Sequence, residues 1–388
     1  GKMMLLLFVS LLAYIIKSER IHRCYTDEHH ELELHLHPEM KETEHKIEVH
    51  YQQFLRKQQS MRNRQTTQSK IIIPVVVNLL YYNDEENLSD LQIQSQLDRI
   101  NIDFAGKNGD MNKVPSRFNN DVAKTPALLL EFELHSIRRK KSIYNKWGTN
   151  DRVKLKRNGG IEGMDSNIYL NIWVAHCGDK ILGYATFPGG KRELDGVVIS
   201  NENFGDYRLF RDGYYGDIHA NKYKYGRTGT HEIGHWLGLH HIWGTQKGCN
   251  SDDGLSDTPT SYGPYFGVPG NDAQSCGSHD MYMNFMDYVD DTEMVMFTND
   301  QINRALSLFS DENAYRKDFI YKTHSNRTYI NRISFKIMDT SQQSNPCGIY
   351  DEWKSLNLNM NSNSKKYVYM CLHKTNDQRF NPITNYLF

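Results

Sequence analysis

His231-Glu232-Ile233-Gly234-His235-Trp236-Leu237-Gly238-Leu239-His240-His241 reads H-E-x-x-H-x-x-G-x-x-H. On an α-helix, residues four apart lie on one face about 6 Å from each other along the axis. His231 and His235 therefore project together, at a spacing that lets two imidazoles hold one Zn²⁺ at about 2.0–2.1 Å. Glu232 stands beside the first of them, where it can reach a water on the metal without ligating it. A straight helix would carry His241 about 15 Å beyond His231 and off its face. His241 joins the metal only if the helix stops and the chain turns back. Gly238 supplies that stop, because glycine takes the left-handed conformation without a Cβ penalty. His240 has no slot in the pattern and reads as a supporting or surface histidine. H-E-x-x-H alone occurs on ordinary helices; the full eleven-residue pattern specifies a three-histidine site with a base beside it.

The chain has 388 residues, long enough for two or three domains and a large core. Lysine plus arginine number 46 against 47 aspartates plus glutamates. That balance argues for neither a nucleic-acid partner nor a strongly anionic surface. Lys2 precedes an apolar run, Met3–Ile16, and Lys17-Ser18-Glu19-Arg20 follows it. The run is short for a bilayer span and suits a secretory signal over 1–17, with a short uncleaved anchor as the other reading. Export, with no stable membrane association beyond the signal, is the expectation. In an exported chain the six cysteines, at 24, 177, 249, 276, 347 and 371, are expected to pair. Sequence leaves fifteen full connectivities open.

Residues 18–69 read as a separate segment. It carries Cys24 in Arg23-Cys24-Tyr25-Thr26, then a histidine- and glutamate-rich stretch through Glu44 and a helical pattern over about 38–55. The histidines at 29, 30, 35, 37 and 45 are irregularly spaced among glutamates, which favours a solvated surface over a second metal site. Arg56–Lys70 has almost nothing to bury and reads as an exposed linker, open to a protease that prefers arginine or lysine.

Ile71–Tyr82 is a continuous apolar run fit for a strand buried on both faces. Asp90–Phe104 repeats at helical spacing with Ser89 as its cap. Leu128–His135, Ile168–Val174 and Gly196–Ser200 read as strands, Gly183–Gly190 as a loop, and the metal helix begins near Gly226–Gly229. Strands and helices ahead of that helix make an α/β layered subdomain.

After His241 the chain is rich in loops. The span from Cys249 to Cys276 has few apolar residues and needs a cross-link or a metal to hold its shape. A bridge between those two cysteines would stabilise it by about 3–4 kcal/mol in the chain-entropy view. Asp252, Asp253 and Asp257 are hard oxygen donors suited to Ca²⁺, and equally a solvated acidic loop. Thr298–Phe309 is an amphipathic helix with a threonine cap. Residues 322–388 are rich in asparagine, serine and lysine, and suit either disorder or a small appended module.

These features, with Ile73-Pro74-Val75-Val76-Val77, Tyr169–Trp173, Leu182–Ala185, Asp195–Ile199, Asp257-Thr258-Pro259, Asn284-Phe285-Met286-Asp287-Tyr288 and Phe297-Thr298 in this order, resemble the secreted prokaryotic members of the pappalysin family of metzincin metalloproteases. The resemblance covers roughly 71–320. It implies an α/β (α+β) metzincin-like zincin: a twisted mixed sheet with a backing helix and an active-site helix, then a loop-rich C-terminal subdomain. Its catalytic domain would span 70–321, with an upper subdomain to about 238 and a lower one over 239–321. It further implies His231, His235 and His241 as zinc ligands and Glu232 as general base. Met286 matches the methionine beneath the metal and Tyr288 the tyrosine beside it. Cys24 resembles a prosegment cysteine that holds the zinc in a latent form, so 18–69 would be an inhibitory prosegment. Calcium near Asp257 and Thr258 is a further implication. A cysteine that relatives often carry after the Met-turn, in a second bridge, is missing here, which leaves Cys177, Cys347 and Cys371 without assigned partners.

The reaction implied is zinc-dependent hydrolysis of peptide bonds in protein or peptide substrates, with arginine or lysine favoured just after the cut. Such a pocket needs a carboxylate at its base, and Asp290, Asp291 and Glu293 are the candidates. The rival reading is a non-catalytic zinc-containing binding or adhesion protein. Glu232 speaks against it, since a structural site closes the fourth position and has no use for a base.

Overall fold

The computed structural model describes residues 22–61, 70–123, 129–178, 181–216, 222–321, 329–338, 352–356 and 367–375. The expected export signal, positions 62–69 of the expected linker and Cys347 lie outside them.

The chain begins with a short strand, His22–Cys24 (β1), and two helices, Thr26–Leu36 (α1) and Met40–Met61 (α2). Arg56–Met61, expected in the linker, is the last part of α2. Then come Ile71–Tyr81 (β2), Asp90–Phe104 (α3), Leu130–Lys141 (β3), Leu170–Val174 (β4), Ile181–Ala185 (β5) and Val197–Ile199 (β6). The sheet order is β1-β5-β6-β4-β2-β3, and all pairings are parallel except β5 with β6. This is the mixed α/β sheet expected of the metzincin fold.

Side-chain alternation along β4 and β6 separates two layers. Ile172, Val174, Val197 and Ile199 join one core with Ile93, Ile100 and Ile233, while Trp173 and Val198 join another with Trp147, Val153 and Ile161. The first face carries α3 and the metal helix, Arg227–Trp236 (α4). Ser89 caps α3, its hydroxyl accepting from the Gln92 amide at 3.1 Å.

Two sequence expectations change. Gly183–Gly190 is not all loop, because Ile181–Ala185 is a strand with β6 on one side and β1 on the other. Gly183 is there for close approach: a Cβ would meet the Val198 carbonyl at 2.8 Å and Glu232 Cγ at 2.9 Å. The strand expected over 128–135 runs instead from Leu130 to Lys141. Its basic second half follows β2 as far as the Tyr81–Lys141 pairing. A charged edge strand gives no apolar signal.

Beyond α4 regular structure is sparse. Gln274–Ser275 (β7) and Ser278–His279 (β8) pair around Cys276, which has a positive φ of 50° and is bonded to Cys249. Asn299–Ser307 (α5) opens with a reciprocal cap between Thr298 and Gln301, and Asp318–Tyr321 (α6) follows. The residues up to Ile320 and those from Tyr321 form separate units. In the second, Tyr329–Met338 (β9), Glu352–Leu356 (β10) and Tyr367–Thr375 (β11) make an antiparallel sheet in the order β10-β11-β9.

Candidate active site

Helix α4 starts after Gly226 and its last turn gives way to Gly238, at φ 81°. The chain doubles back there, and the three imidazoles converge. His235 Nε2 lies 3.1 Å from both His231 Nε2 and His241 Nε2, and the remaining edge is 3.3 Å. Nitrogens bound at about 2.0–2.1 Å around a tetrahedral ion sit about 3.3 Å apart, so this donor set fits Zn²⁺. Each ring is turned by its other nitrogen. His231 Nδ1 meets the Phe285 carbonyl at 2.6 Å, His235 Nδ1 the Leu239 carbonyl at 2.7 Å, and His241 Nδ1 Asp27 Oδ2 at 2.7 Å. Such outer hydrogen bonds orient metal-ligating histidines.

Burial, and then the neighbouring imidazoles, push His231 and His235 well below the ordinary histidine range. Neutral imidazole is the form that binds metal. Burial also pushes Glu232 up to about 8, against hydrogen bonds from Thr26 and Cys24. A Cβ on Gly234 would come within 2.5 Å of Met286 Sδ, so the thioether packs directly against the metal helix. Asn284 holds that turn, its Oδ1 accepting from the Met286 amide at 2.9 Å. Tyr288 stands edge-on to His241 with ring centres 4.8 Å apart.

The cleft is filled from within the chain. Cys24 Sγ belongs to one cluster with the three histidines, the four ligand atoms lying within 4.8 Å of one another. The Cys24 thiol is 3.4 Å from Glu232 Oε2, to which the Thr26 hydroxyl also donates at 3.0 Å. Tyr288 donates its hydroxyl to the Cys24 carbonyl at 3.3 Å. Arg23 Nη2 donates to Asp291 Oδ1 at 2.7 Å and Nη1 to the Val289 carbonyl at 2.6 Å, with both side chains of the ion pair buried. Arg23, Thr26 and Asp27 escaped the sequence reading, although they flank the one residue it singled out.

The family model for Peptidase M43, pregnancy-associated plasma protein-A, matches residues 164–309. Mature mirolysin of Tannerella forsythia, solved with a cleaved peptide, superposes with a TM-score of 0.61 at 37% identity, covering 66% of this chain and 98% of that one. The chain belongs to the pappalysin family. A promirolysin mutant of the same organism gives a TM-score of 0.62 at 35% identity, covering 70% of this chain and 92% of that one. Relatives named extracellular metalloprotease include one from Arthroderma benhamiae, 27% identical over 256 residues (63% of this chain, 74% of the relative). Another, from Verticillium alfalfae, is 29% identical over 254 residues (61% and 76%). As a pappalysin the chain is a zinc metalloendopeptidase, which removes the non-catalytic reading.

The remaining candidates divide. Asp291 meets Arg23, whereas Asp290 lies 3.4 Å from Lys222 Nζ and Glu293 pairs with Lys113 at 2.8 Å. His240 leans on Phe187, ring centres 4.9 Å apart, and stays out of the triad. Among the histidines at 29, 30, 35, 37 and 45, His29 departs from the solvated reading. It is buried, with Nε2 2.7 Å from Asp151 Oδ2, and Lys154 Nζ lies 2.8 Å from the other Asp151 oxygen. His29, Glu33 and Asp151 make a second set of possible metal donors, and the Lys154 ammonium already stands beside Asp151 as a cation. Asp253 and Asp257 are pushed up to about 7 and about 6, chiefly by burial, and Asp253 Oδ2 and Asp257 Oδ1 have no hydrogen-bond partner. Thr258 Oγ1 donates to Asp253 Oδ1 at 2.5 Å. Cys177 is buried and free.

Proposed function

We propose that the chain is the latent precursor of a secreted endopeptidase that cuts before arginine or lysine. The observation that carries this is the seating of Arg23-Cys24: the thiol is at the three imidazoles while the guanidinium reaches a buried carboxylate.

Zn²⁺, when bound, supplies a water of lowered pKa, polarises the scissile carbonyl and favours the thiolate of a coordinating cysteine. The residues of the chain do the rest. His231, His235 and His241 are the ligands, and Glu232 takes the proton as water attacks and passes it to the leaving amine. Tyr288 stabilises the charge that develops on the carbonyl oxygen. Met286 gives the site an apolar floor, and Gly238 the reversal that brings in His241.

Cys24 would hold the zinc together with the three histidines in the precursor, and Thr26 occupies the base through its hydrogen bond to Glu232. Arg23 precedes the residue at the metal. A substrate with a basic residue after its scissile bond would reach the same pocket from the other chain direction. The segment pairs parallel with β5 and so takes up the edge of that strand. Asp291 is then the pocket's acid. Cutting before Arg62, Arg64 or Lys70 would release Cys24 and activate the enzyme. The domain plan is a signal over 1–17, a prosegment and linker over 18–69, a catalytic domain over 70–321 and an added C-terminal segment over 322–388. Export is supported by the names of the relatives and by the apolar run at Met3–Ile16. Among the described residues no helix is long and apolar enough to cross a membrane. Asp253 and Asp257, with their unpartnered buried oxygens, together with Thr258, are the proposed Ca²⁺ site.

Glu232→Ala should bind zinc and lose proteolysis, and activity kept in that variant would remove Glu232 as the base. N-terminal sequencing of fragments from a protein digest, with and without a chelator, reads the specificity. New N-termini without an excess of arginine and lysine would overturn the basic preference.

A further inference from the structure

We propose that Arg227 is a positioning residue for substrate selection: it anchors the backbone at Asp291 so that one carboxylate oxygen faces the pocket. This rests on the reading of Asp291 as the pocket's acid, and names what aims it.

Arg227 is the first residue of α4, four before His231, and is fully buried. Its Nη1 donates to the Asp291 carbonyl at 2.8 Å and its Nη2 to Asp110 Oδ1 at 2.7 Å, while Nε lies 3.6 Å from Asp103 Oδ2. Asp103 belongs to α3 and is itself held by Arg99 at 3.2 Å and by the Thr230 hydroxyl at 2.9 Å. The planar guanidinium is thus fixed on one side by carboxylates of the scaffold and offers its remaining edge to the loop that carries Asp291. The Tyr225 amide donates to Asp291 Oδ2 at 2.9 Å and the Arg227 amide lies 3.4 Å from the same oxygen. Oδ1 is left for the pocket, and Arg23 takes it. The same guanidinium lies over the Phe285 ring at 5.5 Å, and the Phe285 carbonyl orients His231. One side chain therefore joins the acid that selects substrate to the turn that orients a metal ligand.

An arginine that only stabilised the fold would, when replaced, lower the cleavage of every substrate alike. One that aims Asp291 discriminates by charge. The test uses two peptides that differ only in arginine or citrulline after the scissile bond, cleaved by the processed enzyme. Arg227→Lys should lower the arginine-to-citrulline ratio of kcat/KM at least about tenfold, mainly through KM, as expected when a charge-assisted hydrogen bond is lost. Arg227→Met paired with Asp110→Asn leaves fewer buried charges unmatched and should show the same fall. A readout without turnover is the affinity of the processed enzyme for a synthetic prosegment peptide with arginine or citrulline at position 23, whose ratio should fall in parallel. A ratio that both variants leave unchanged overturns the proposal. Asp291→Asn separates the two ideas. If it collapses the ratio and the Arg227 variants do not, only the positioning role fails. If it too leaves the ratio unchanged, the pocket assignment fails and the positioning role with it.

Discussion

From β1 to Gly238 the first unit carries its six-stranded sheet and helices α1 to α4, whose backbone groups satisfy one another and whose apolar faces line two cores. From Leu239 to Thr298 the same unit has two strands of two residues each, and its shape rests on other means. The Cys249–Cys276 bond closes its longest loop. Side chains bond to backbone where a ladder would otherwise stand: Asn284 to the Met286 amide at 2.9 Å, and Asp287 to the Tyr265 amide at 2.8 Å. The first half rests on hydrogen-bonded ladders, whereas the second buries Leu239, Ile242, Trp243 and most apolar residues from Met281 to Phe297 in the same core and holds its remaining loops by restricting the chain. The metal ligands stand on the first half and at its exit, the proposed selectivity on the second. The paired strands and helices thus carry two metal ligands, and the loops after them carry the proposed pocket acid.

The largest expected effect lies where the segment after α5 is stapled to the first half. Arg316 donates to Asp195 at 2.7 and 3.1 Å and to the Trp236 carbonyl at 3.0 Å, and stacks 3.7 Å from the Trp236 ring centre. Asp195→Ala strands a buried guanidinium beneath the metal helix and should cost about 3–5 kcal/mol. A loss under about 1 kcal/mol in denaturant melts would show that the first half does not depend on this staple.

Next comes the disulfide. Cys249→Ser with Cys276→Ser should cost about 3–4 kcal/mol, and the damage should be local. Hydrogen exchange then rises across the loops while β2 and β4 keep their protection. Uniform loss of protection would mean that the halves unfold as one.

The acidic loop gives a smaller effect whose sign distinguishes the halves. Asp253 and Asp257 hold their protons to about pH 7 and about pH 6 because burial disfavours their charged forms. Unfolded carboxyls release theirs near pH 4. Without a cation, the stability contributed by this pair is therefore full below about pH 4 and is lost as the pH rises through both values. Ca²⁺ bound at the proposed site would replace those protons, so adding it to chelated protein should raise Tm more near pH 8 than near pH 5. A calcium response independent of pH would count against these two carboxylates as its site.

Smallest are the caps, one in each half. Ser89→Ala and Thr298→Ala should each cost about 1 kcal/mol in denaturant melts. Similar values would show that the halves differ between their helices and not within them. A loss well above about 2 kcal/mol at Thr298 would trace to its partner Gln301, which also exchanges bonds with Asn284 at 2.8 and 3.0 Å beneath the Met-turn.

Much of the first half was legible because its signals are local. The run at Ile71 and the repeat over Asp90–Phe104 declare a strand and a capped helix by period alone. β5 was not legible: it is five residues long and carries a glycine, and only its two neighbours make it a strand. The irregular histidines between 29 and 45 gave no hint that His29 would be buried, since its partner Asp151 is 122 residues away.

The sequence by itself determined the metal centre: helical period sets two imidazoles together, and a glycine able to turn left-handed returns the third. Tertiary structure alone decided which acid among Asp290, Asp291 and Glu293 faces Arg23. Three acids within four positions are nearly equivalent in composition. Their directions depend on where Arg227, Tyr225, Lys222 and Lys113 arrive from elements far off in the chain. Nothing local to the loop encodes those arrivals.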